Sequence, residues 1–331
     1  MHSVMEISKQ ILRFPNKFKE KLINFIKIKI KDIQDTRNVY FNFEELSDLL
    51  LSACRSNDFG ILYSKKRKLF IDEDKISKWI YEKLLPNTIV LKIDDEDILR
   101  LLIFCIEITY QMFSGGTKAT ITAKGFRERR RTFESILVDQ FVGKLGEVML
   151  KKFLEQNFPG VKIELDWRIS TQLKRHKNDI INAKKKVSIK STPTLAGIWA
   201  EADIGYDYGI MVKCSVPQQP ILQFFIEVCG FKRLIDFIEV KIPIHDRLFR
   251  EYLRNIKNRI YNFKCEEIQT ELKGFICGYF KTSEYEPIEV GEKLPYMGKI
   301  RERRYLIRID QLRYEKSSWK IFLQDIGFNF K

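Results

Sequence analysis

The pattern of apolar and polar positions predicts a mainly helical region over residues 1 to about 115. Apolar residues recur at the spacing of one helix face over 17–33, 43–54, 74–85 and 94–113. The last segment has the clearest boundaries, because Asp94 or Asp95 can cap its first turn and a Ser-Gly-Gly sequence follows it. These segments carry no chemical motif, so a supporting role is expected for them.

A further long amphipathic helix is predicted over 134–158. Gly143 and Gly146 would allow this helix to approach a sheet closely, at a loss of about 1 kcal/mol each in helix propensity. A Pro-Gly pair ends the helix, and apolar residues then alternate with charged residues over 161–167. This alternation has the period of a strand with one buried face.

A hairpin carrying charged residues is predicted over 178–192. With its turn at 183–184, Asp179 lies across from Ser188, and Lys190 lies further along the same face, because side chains alternate faces with period two. A carboxylate and a lysine on one open face are unfavourable unless something binds between them. The hairpin is therefore the first candidate for a functional site. The alternative is a Lys-rich strand edge whose charges prevent association with other strands.

The rest of the chain mixes predicted helices and strands. Thr192 followed by Pro193 favours a short helix to about residue 202, which would bring Glu201 and Asp203 back toward the sheet. Asp246 can cap a basic helix that runs to about residue 263. Strand patterns occur at 208–214, 221–229, 274–281, 305–310 and 319–325. The sequence thus predicts an α/β protein with a helical N-terminal region and a β-rich C-terminal region.

Composition and charge narrow the range of functions. The chain has 331 residues, 44% of them hydrophobic, which is enough for one large core or two ordinary ones. Its net charge of +15 favours a polyanionic partner, although a Lys-rich composition gives the same balance. Six scattered cysteines and three histidines predict no disulfide framework and no zinc or histidine-rich site. The N-terminus lacks a signal-peptide pattern, and the apolar run over 98–113 is too short to cross a bilayer, so a cytoplasmic location without membrane contact is expected.

Basic residues cluster at three places in the chain. Arginine donates paired hydrogen bonds to phosphate groups and stacks on bases, so these clusters are candidate DNA contacts. The alternative for the densest cluster, over 124–131, is the solvated start of a helix. The candidate DNA-binding residues are Lys124, Arg127, Arg129, Arg130, Arg131, Lys174, Arg175, Arg301, Arg303 and Arg304.

Glu147 on the long helix, Asp179 on the hairpin and the Ser188-Ile189-Lys190 strand together resemble the PD-(D/E)XK nuclease superfamily, and within it a type II restriction endonuclease. The resemblance covers residues 129–213. It implies a restriction-endonuclease-like core with a central mixed β-sheet flanked by helices. It also implies Mg²⁺, as one ion or two, with Asp179 as the central metal ligand, Lys190 as the catalytic lysine and Glu147 as the helix carboxylate.

The sequence departs from the family pattern at two positions. Asn178 stands where a proline often precedes the aspartate, and Ser188 stands where the second acid belongs. Serine cannot supply a charged oxygen, so another carboxylate must replace it. Glu201 is the preferred replacement and Asp203 the substitute. The candidate catalytic residues are Glu147, Asp179, Ser188, Lys190 and Glu201, and the candidate metal ligands are Asp179, Glu147, Glu201 and Asp203.

The resemblance implies a Mg²⁺-dependent endodeoxyribonuclease that cuts double-stranded DNA at a short sequence, as a homodimer. Residues 1–115 would form a structural or DNA-contacting helical region, and 116–331 a nuclease domain with its catalytic core at about 129–230 and C-terminal recognition elements. No Walker-type phosphate loop is present, so no nucleotide cofactor is expected. The alternatives are a repair or CRISPR-associated nuclease on the same core and a DNA-binding protein without catalysis.

Overall fold

The computed structural model describes residues 16–37, 41–65, 68–92, 95–113, 133–168, 178–216, 238–239, 246–260 and 271–329. These residues form a mixed α/β structure with a central four-stranded sheet. Its α-helices are α1 (Asn16–Arg37), α2 (Phe43–Ser56), α3 (Glu73–Trp79), α4 (Glu96–Phe113), α5 (Phe133–Asn157), α6 (Arg247–Ile260) and α7 (Lys316–Asp325). None of the described helices is long and apolar enough to cross a membrane.

The strands belong to four sheets. They are β1 (Leu62–Lys65), β2 (Lys68–Ile71), β3 (Thr88–Lys92), β4 (Val187–Thr192), β5 (Trp199–Asp203), β6 (Tyr208–Ser215), β7 (Glu271–Lys281), β8 (Lys293–Leu294), β9 (Gly298–Lys299) and β10 (Arg304–Arg308). The central sheet has the order β3-β7-β6-β4. Only β4 and β6 run parallel in it, with Ser188 opposite Gly209 and Lys190 opposite Met211. The connection between these two parallel strands contains β5, which pairs with β10 outside the central sheet.

Each face of the central sheet is covered by its own hydrophobic core. Val212 on β6 belongs to the first core, together with residues of α4, α5 and α7. Met211, its neighbour, belongs to the second core, together with residues of α1, α2, α3, β5 and β10. Every residue of β6 is buried, as expected for a central strand covered on both faces. The sheet is therefore an internal layer, and functional side chains can reach solvent only at its edges.

Helix α5 packs closely against β4, as the glycines in its sequence suggested. A Cβ atom at Gly146 would lie 2.4 Å from the Cβ of Ser191, so the absence of a side chain there sets the distance between helix and strand. Ser191 Oγ donates hydrogen bonds to the carbonyl oxygens of Val142 and Gly143 at 2.9 and 3.0 Å. The prediction is confirmed for Gly146. It is wrong for Gly143, where an added Cβ would meet no atom within 4 Å.

The predicted N-terminal helices are confirmed, and the structure adds strands between them. Asp95 Oδ1 accepts a hydrogen bond from the Asp97 backbone N–H at 2.9 Å, so Asp95 caps α4. The first two strands form a small antiparallel sheet, and β3 pairs with β7 in the central sheet. The region before residue 115 thus contributes an edge strand and a packed helix to the central layer as well as helices.

The short helix predicted after Pro193 is wrong, because Trp199–Asp203 forms strand β5. Ala200 and Ala202 are buried while the residues between them are partly exposed. This period of two belongs to a strand with one packed face, and pairing with β10 outweighs the local capping signal of Thr192 and Pro193. Glu201 and Asp203 therefore lie on the same face of one strand.

The strand predicted over 319–325 is also wrong, because Lys316–Asp325 is helix α7. Trp319, Phe322, Leu323 and Ile326 are all buried, and their spacing is that of one helix face. Over the predicted strand 161–167 burial alternates as expected from 161 to 165, but the alternation ends at Asp166, which is buried. Among the described residues, this segment has one ladder contact, an isolated bridge between Leu165 and Ile180. The strand predicted over 221–229 lies outside the described residues.

Candidate acidic site

Glu147 lies on α5 in a buried position and is held by a lysine one turn earlier. Lys144 Nζ donates hydrogen bonds to Glu147 Oε2 at 2.6 Å and to the backbone carbonyl oxygen of Asp166 at 2.5 Å. The same ammonium group lies 5.1 Å from the ring centres of both Phe104 and Trp167. Glu147 is therefore fixed in one orientation, in surroundings that are largely apolar.

The surroundings of Glu147 disfavour its charged form. Burial raises the pKa of Glu147 to about 8; the charge of Lys144 opposes this rise, and the charge of Asp179 adds to it. The influence of Asp179 on the Glu147 pKa means that the two carboxylates share one electrostatic environment. The charge of the hairpin carboxylate predicted for the site thus adds to the cost of ionising the helix carboxylate.

The segment carrying Asp179 is held against the first half of β4. Asn178 Oδ1 accepts a hydrogen bond from the Val187 backbone N–H at 2.9 Å. The Asp179 backbone N–H donates to the carbonyl oxygen of Val187 at 3.2 Å, and Asp179 Oδ2 accepts from the Ile189 backbone N–H at 2.6 Å. Asp179 therefore lies beside Ser188, as the predicted hairpin requires. Residues 181–186 form a longer loop in place of the tight turn predicted at 183–184.

The Asp179 carboxylate experiences opposing charges. Burial raises its pKa, while the hydrogen bond from Ile189 and the charges of Lys190 and Lys144 lower it; the charge of Asp203 raises it further. The net shift is upward. The cationic groups around Asp179 therefore do not fully compensate for its burial and for the neighbouring carboxylate.

Lys190 pairs with Asp203 across the space between β4 and β5. Lys190 Nζ lies 2.8 Å from Asp203 Oδ2, and the two side chains are 33% and 46% exposed. Ser188, on the same face of β4 as Lys190, is buried and supplies no charge. The carboxylate that contacts the predicted catalytic lysine is therefore Asp203.

Glu201 lies on the same strand as Asp203 but has a different partner. Arg304 Nη1 donates a hydrogen bond to Glu201 Oε2 at 2.8 Å, and Arg304 Nη2 donates to Glu302 Oε2 at 2.7 Å. An arginine on β10 thus neutralises Glu201. The structure pairs Glu201 with a residue predicted to bind DNA and leaves it without a contact to Lys190.

Two residues of this site were not assigned a role from the sequence. Lys144 could have been found, because a lysine three residues before a glutamate on a helix lies beside it. Tyr206, in the turn between β5 and β6, carries no local signal. Burial raises its pKa to about 12, and the charges of Asp179, Asp203 and Glu147 contribute to this rise. Tyr206 thus belongs to the same electrostatic environment as the three carboxylates.

We call Glu147, Asp179 and Asp203, with Lys144, Lys190 and Tyr206, the acidic site. Its three carboxylates outnumber its two ammonium groups, and carboxylate oxygens are the ligands that Mg²⁺ prefers. Among the described residues, no three His, Cys, Asp or Glu side chains are close enough together to hold a metal ion as they stand. The arrangement can therefore attract a cation to its carboxylates and orient the Lys190 ammonium group toward solvent. The Tyr206 phenol shares this electrostatic environment.

The predicted DNA-binding residues divide into two groups. Arg303 pairs with Glu289 at 2.7 Å, Arg304 pairs with Glu201, and Arg301 is exposed. The other candidates lie outside the described residues: Lys124, Arg127, Arg129, Arg130, Arg131, Lys174 and Arg175. The described part of the predicted DNA surface is thus limited to the loop before β10.

Comparisons of the chain with protein families, with curated proteins and with solved structures gave no match.

Proposed function

We propose that the chain is a Mg²⁺-dependent endodeoxyribonuclease of restriction type, with a restriction-endonuclease-like core, that cuts double-stranded DNA at a short sequence as a homodimer. One observation carries the proposal. Asp179 is fixed against the strand of Lys190 by the Ile189 N–H, and its pKa responds to the charges of Lys190 and Asp203. A carboxylate from a hairpin and one from a second strand thus act on one partly exposed ammonium group, and the pKa of the helix carboxylate, Glu147, responds in turn to the charge of Asp179.

The residues of the acidic site fit a magnesium ion in their chemistry. The pKa values of Asp179 and Glu147 are raised because both carboxylates are buried near further negative charge, and a divalent cation would relieve this repulsion. Glu147, Asp179 and Asp203 would hold the ion. Bound Mg²⁺ would acidify water and stabilise negative charge on a phosphodiester during hydrolysis.

The basic residues of the site have separate roles in this proposal. Lys190 is partly exposed, so its ammonium group can reach a phosphate and stabilise the charge that develops there. Asp203 orients Lys190 through their ion pair before substrate binds. Lys144 is buried, so it acts on the substrate only through Glu147, whose carboxylate it positions.

We infer that Asp203 supplies the acid missing at Ser188. Asp203 contacts Lys190 and influences the Asp179 pKa, whereas Glu201 is neutralised by Arg304. This reverses the preference for Glu201 that the sequence suggested. The physical reason is the strand conformation of Trp199–Asp203, which allows each carboxylate to meet a different partner.

The test is cleavage of a plasmid and of phage DNA by purified protein in Mg²⁺. We expect discrete fragments, and we expect Asp179→Asn and Lys190→Ala each to lower the cleavage rate by about 1,000-fold or more, since each removes a group that acts on the transition state. Asp203→Asn should lower the rate more than its matched control on the same strand, Glu201→Gln. Equal losses from these two variants would refute the assignment of Asp203.

Binding measurements separate the proposal from its main alternative. Asp179→Asn should retain binding of duplex DNA in EDTA, and it should lose the rise in melting temperature that Mg²⁺ gives the wild type through binding to the folded state. A smear of products would favour a less specific nuclease. The uncharged Ser188 favours a second candidate, a DNA-binding protein without catalysis, which predicts binding with intact DNA under all divalent metals.

A further inference from the structure

Helix α6 is fixed to the protein through one of its faces. Phe249 and Leu253 are buried in the first hydrophobic core, and α6 packs against α4. Asp246 Oδ1 accepts hydrogen bonds from the backbone N–H groups of Leu248 and Phe249 at 2.8 and 3.2 Å, which caps the helix. The buried apolar face and the N-terminal cap therefore set the position of α6.

The opposite side of α6 presents three exposed arginines, which we call the arginine face. Arg247, Arg250 and Arg254 follow one another at intervals of three and four residues, so they lie along one side of the helix. Together with Glu251 they line a cavity of about 330 Å³. Three of the four described residues that line the cavity carry guanidinium groups, which matches an anionic ligand in charge.

No carboxylate among the described residues occupies the arginine face. In the part of the chain that the structure describes, no acidic side chain lies within 4.0 Å of these three arginines to form an ion pair. Arginines elsewhere do pair, as Arg304 does with Glu201, Arg308 with Asp310, and Arg313 with Glu284 at 2.6–2.8 Å. With respect to the described residues, the hydrogen-bond donors of the arginine face therefore remain open to another molecule.

We propose that the arginine face binds the phosphate backbone of duplex DNA. The inference rests on the proposed function for its choice of partner and adds a contact surface that the basic clusters in the sequence did not include. A guanidinium group donates two parallel hydrogen bonds to phosphate oxygens. The three arginines span about 10 Å along the helix axis, at a rise of about 1.5 Å per residue. One DNA strand carries a phosphate about every 3.4 Å of axis, so the span matches several consecutive phosphates.

A lipid surface fits α6 less well than nucleic acid does. A helix that lies on a membrane inserts its apolar face among the lipids, but the apolar face of α6 is already buried in the core. Leu248 is the exposed large apolar residue at this end of the helix. The excess of basic residues in the whole chain, +15, also favours a long polyanion.

The test measures binding of a fluorescent DNA duplex in EDTA, where no cleavage occurs, over a range of salt concentrations. The variant is Arg247→Ala/Arg250→Ala/Arg254→Ala, and its melting temperature confirms that it folds. Losing three phosphate contacts should lower the slope of log K against log[salt] by about 2 to 3 and weaken binding by at least about 10-fold at 0.1 M salt. Glu251→Gln should strengthen binding about twofold, since a carboxylate in the cavity repels phosphate.

The matched control removes three positive charges elsewhere, from the exposed side chains of Lys65, Lys78 and Lys320. We expect this variant to bind DNA nearly as the wild type does. An equal loss in both triple variants would mean that overall charge is responsible, and unchanged binding in the arginine variant would also overturn the inference.

The proposed nuclease function and the proposed binding of DNA by the arginine face can be contradicted separately. DNA that is bound through the arginines but never cut would contradict the nuclease and support the arginine face. DNA that is cut normally by the arginine variant, with unchanged binding, would contradict only the arginine face. Wild-type protein that binds polyglutamate or anionic vesicles through these arginines, and no duplex, would contradict the choice of nucleic acid.

Discussion

The acidic site can be compared with a second buried group of charges, the Lys83 cluster, formed by Lys83, Asp58 and Trp79. In this cluster one ammonium group meets one carboxylate: Lys83 Nζ donates to Asp58 Oδ2 at 2.6 Å and to the carbonyl oxygen of Ile309 at 3.1 Å. The indole N–H of Trp79 donates to the same carboxylate oxygen at 2.9 Å. The acidic site instead buries Glu147 and Asp179 near a third carboxylate.

The difference shows that the role of a buried charged group can be inferred from whether an opposite charge balances it. The Lys83 cluster connects α3 to the 3₁₀ turns Asp58–Gly60 and Ile309–Gln311, and its one carboxylate and one ammonium group are paired. In the acidic site, burial raises the pKa values of Asp179 and Glu147 and a neighbouring carboxylate raises each further, which is unfavourable for folding. An arrangement that lowers stability is typical of a site that binds a ligand of opposite charge.

The largest expected effect on stability is at the Lys83 cluster. Asp58→Asn leaves the ammonium group of Lys83 buried without a charged partner, so the free energy of unfolding should fall by about 3–5 kcal/mol. Glu82→Gln is the control, because Glu82 and Lys78 form a pair with side chains more than half exposed and 3.9 Å apart. Urea denaturation measures both. A loss below about 1 kcal/mol for Asp58→Asn would remove the contrast between the two regions.

Lys213 provides a buried charge whose contacts are all with uncharged groups. Its Nζ donates to Ser52 Oγ at 2.6 Å and to the carbonyl oxygen of Leu195 at 2.7 Å. Burial lowers the pKa of Lys213 from 10.5 to about 8. Between these two values the unfolded chain holds a proton that the folded chain has released, so this group makes the folded state more stable as the pH rises.

The expected gain from Lys213 between about pH 7 and pH 10.5 is about 3 kcal/mol in the free energy of unfolding. It is lost progressively as the pH falls from about 10.5 to about 8. Other groups also titrate in this range, so the measured quantity is the difference between the wild type and Lys213→Met in urea denaturation at each pH. The same pH dependence in both proteins would contradict the burial of a charged amine.

The contact between α5 and β4, which brings Glu147 toward the strand of Lys190, can be tested with two glycines of the same helix. Gly146→Ala places a Cβ 2.4 Å from the Ser191 Cβ and should lower the free energy of unfolding by about 1–3 kcal/mol. Gly143→Ala meets no atom within 4 Å and should raise it by up to about 1 kcal/mol through helix propensity. Equal effects in thermal unfolding would mean that the close contact does not exist.

The smallest expected effect is at the acidic site itself. Asp179→Asn removes one of its crowded carboxylates but keeps an oxygen for the Ile189 N–H, so the free energy of unfolding should rise by about 1 kcal/mol while cleavage is lost. Calorimetry without Mg²⁺ measures this change. A loss of stability would place Asp179 with the paired, structural charges of the Lys83 cluster.

The sequence predicted elements well where the spacing of buried residues had only one interpretation. The helices around Leu49 and Leu145 are confirmed, since their apolar residues follow the helical period, and the strand around Ile210 is confirmed as a short, continuously buried run. Two elements were wrong because a local signal competed with tertiary contacts. Thr192 and Pro193 suggested a helix where strand pairing holds β5, and the aromatic composition of 319–325 suggested a strand where Trp319 and Phe322 occupy one helix face.

The acidic site was predicted only in part, for a related reason. Asp179, Ser188 and Lys190 are close in the chain, so the spacing within one hairpin was enough to relate them. The partners of Asp203 and Glu201 depend on how β5 meets β4 and β10, which no short motif encodes. The influence of the three carboxylates on the Tyr206 pKa likewise depends on the fold of the turn that carries the tyrosine.

Pairing of β5 with β10 also determines how late in synthesis the acidic site can be completed. Asp203 lies opposite Arg304 in this pair, so the strand that carries the acid is supported by residues about a hundred positions later. A chain still emerging from the ribosome would contain Asp179 and Lys190 long before it contains β10. If the protein cuts DNA, nearly all of it must be made before the last carboxylate is held in position, and unfinished chains would be harmless to the cell that produces them.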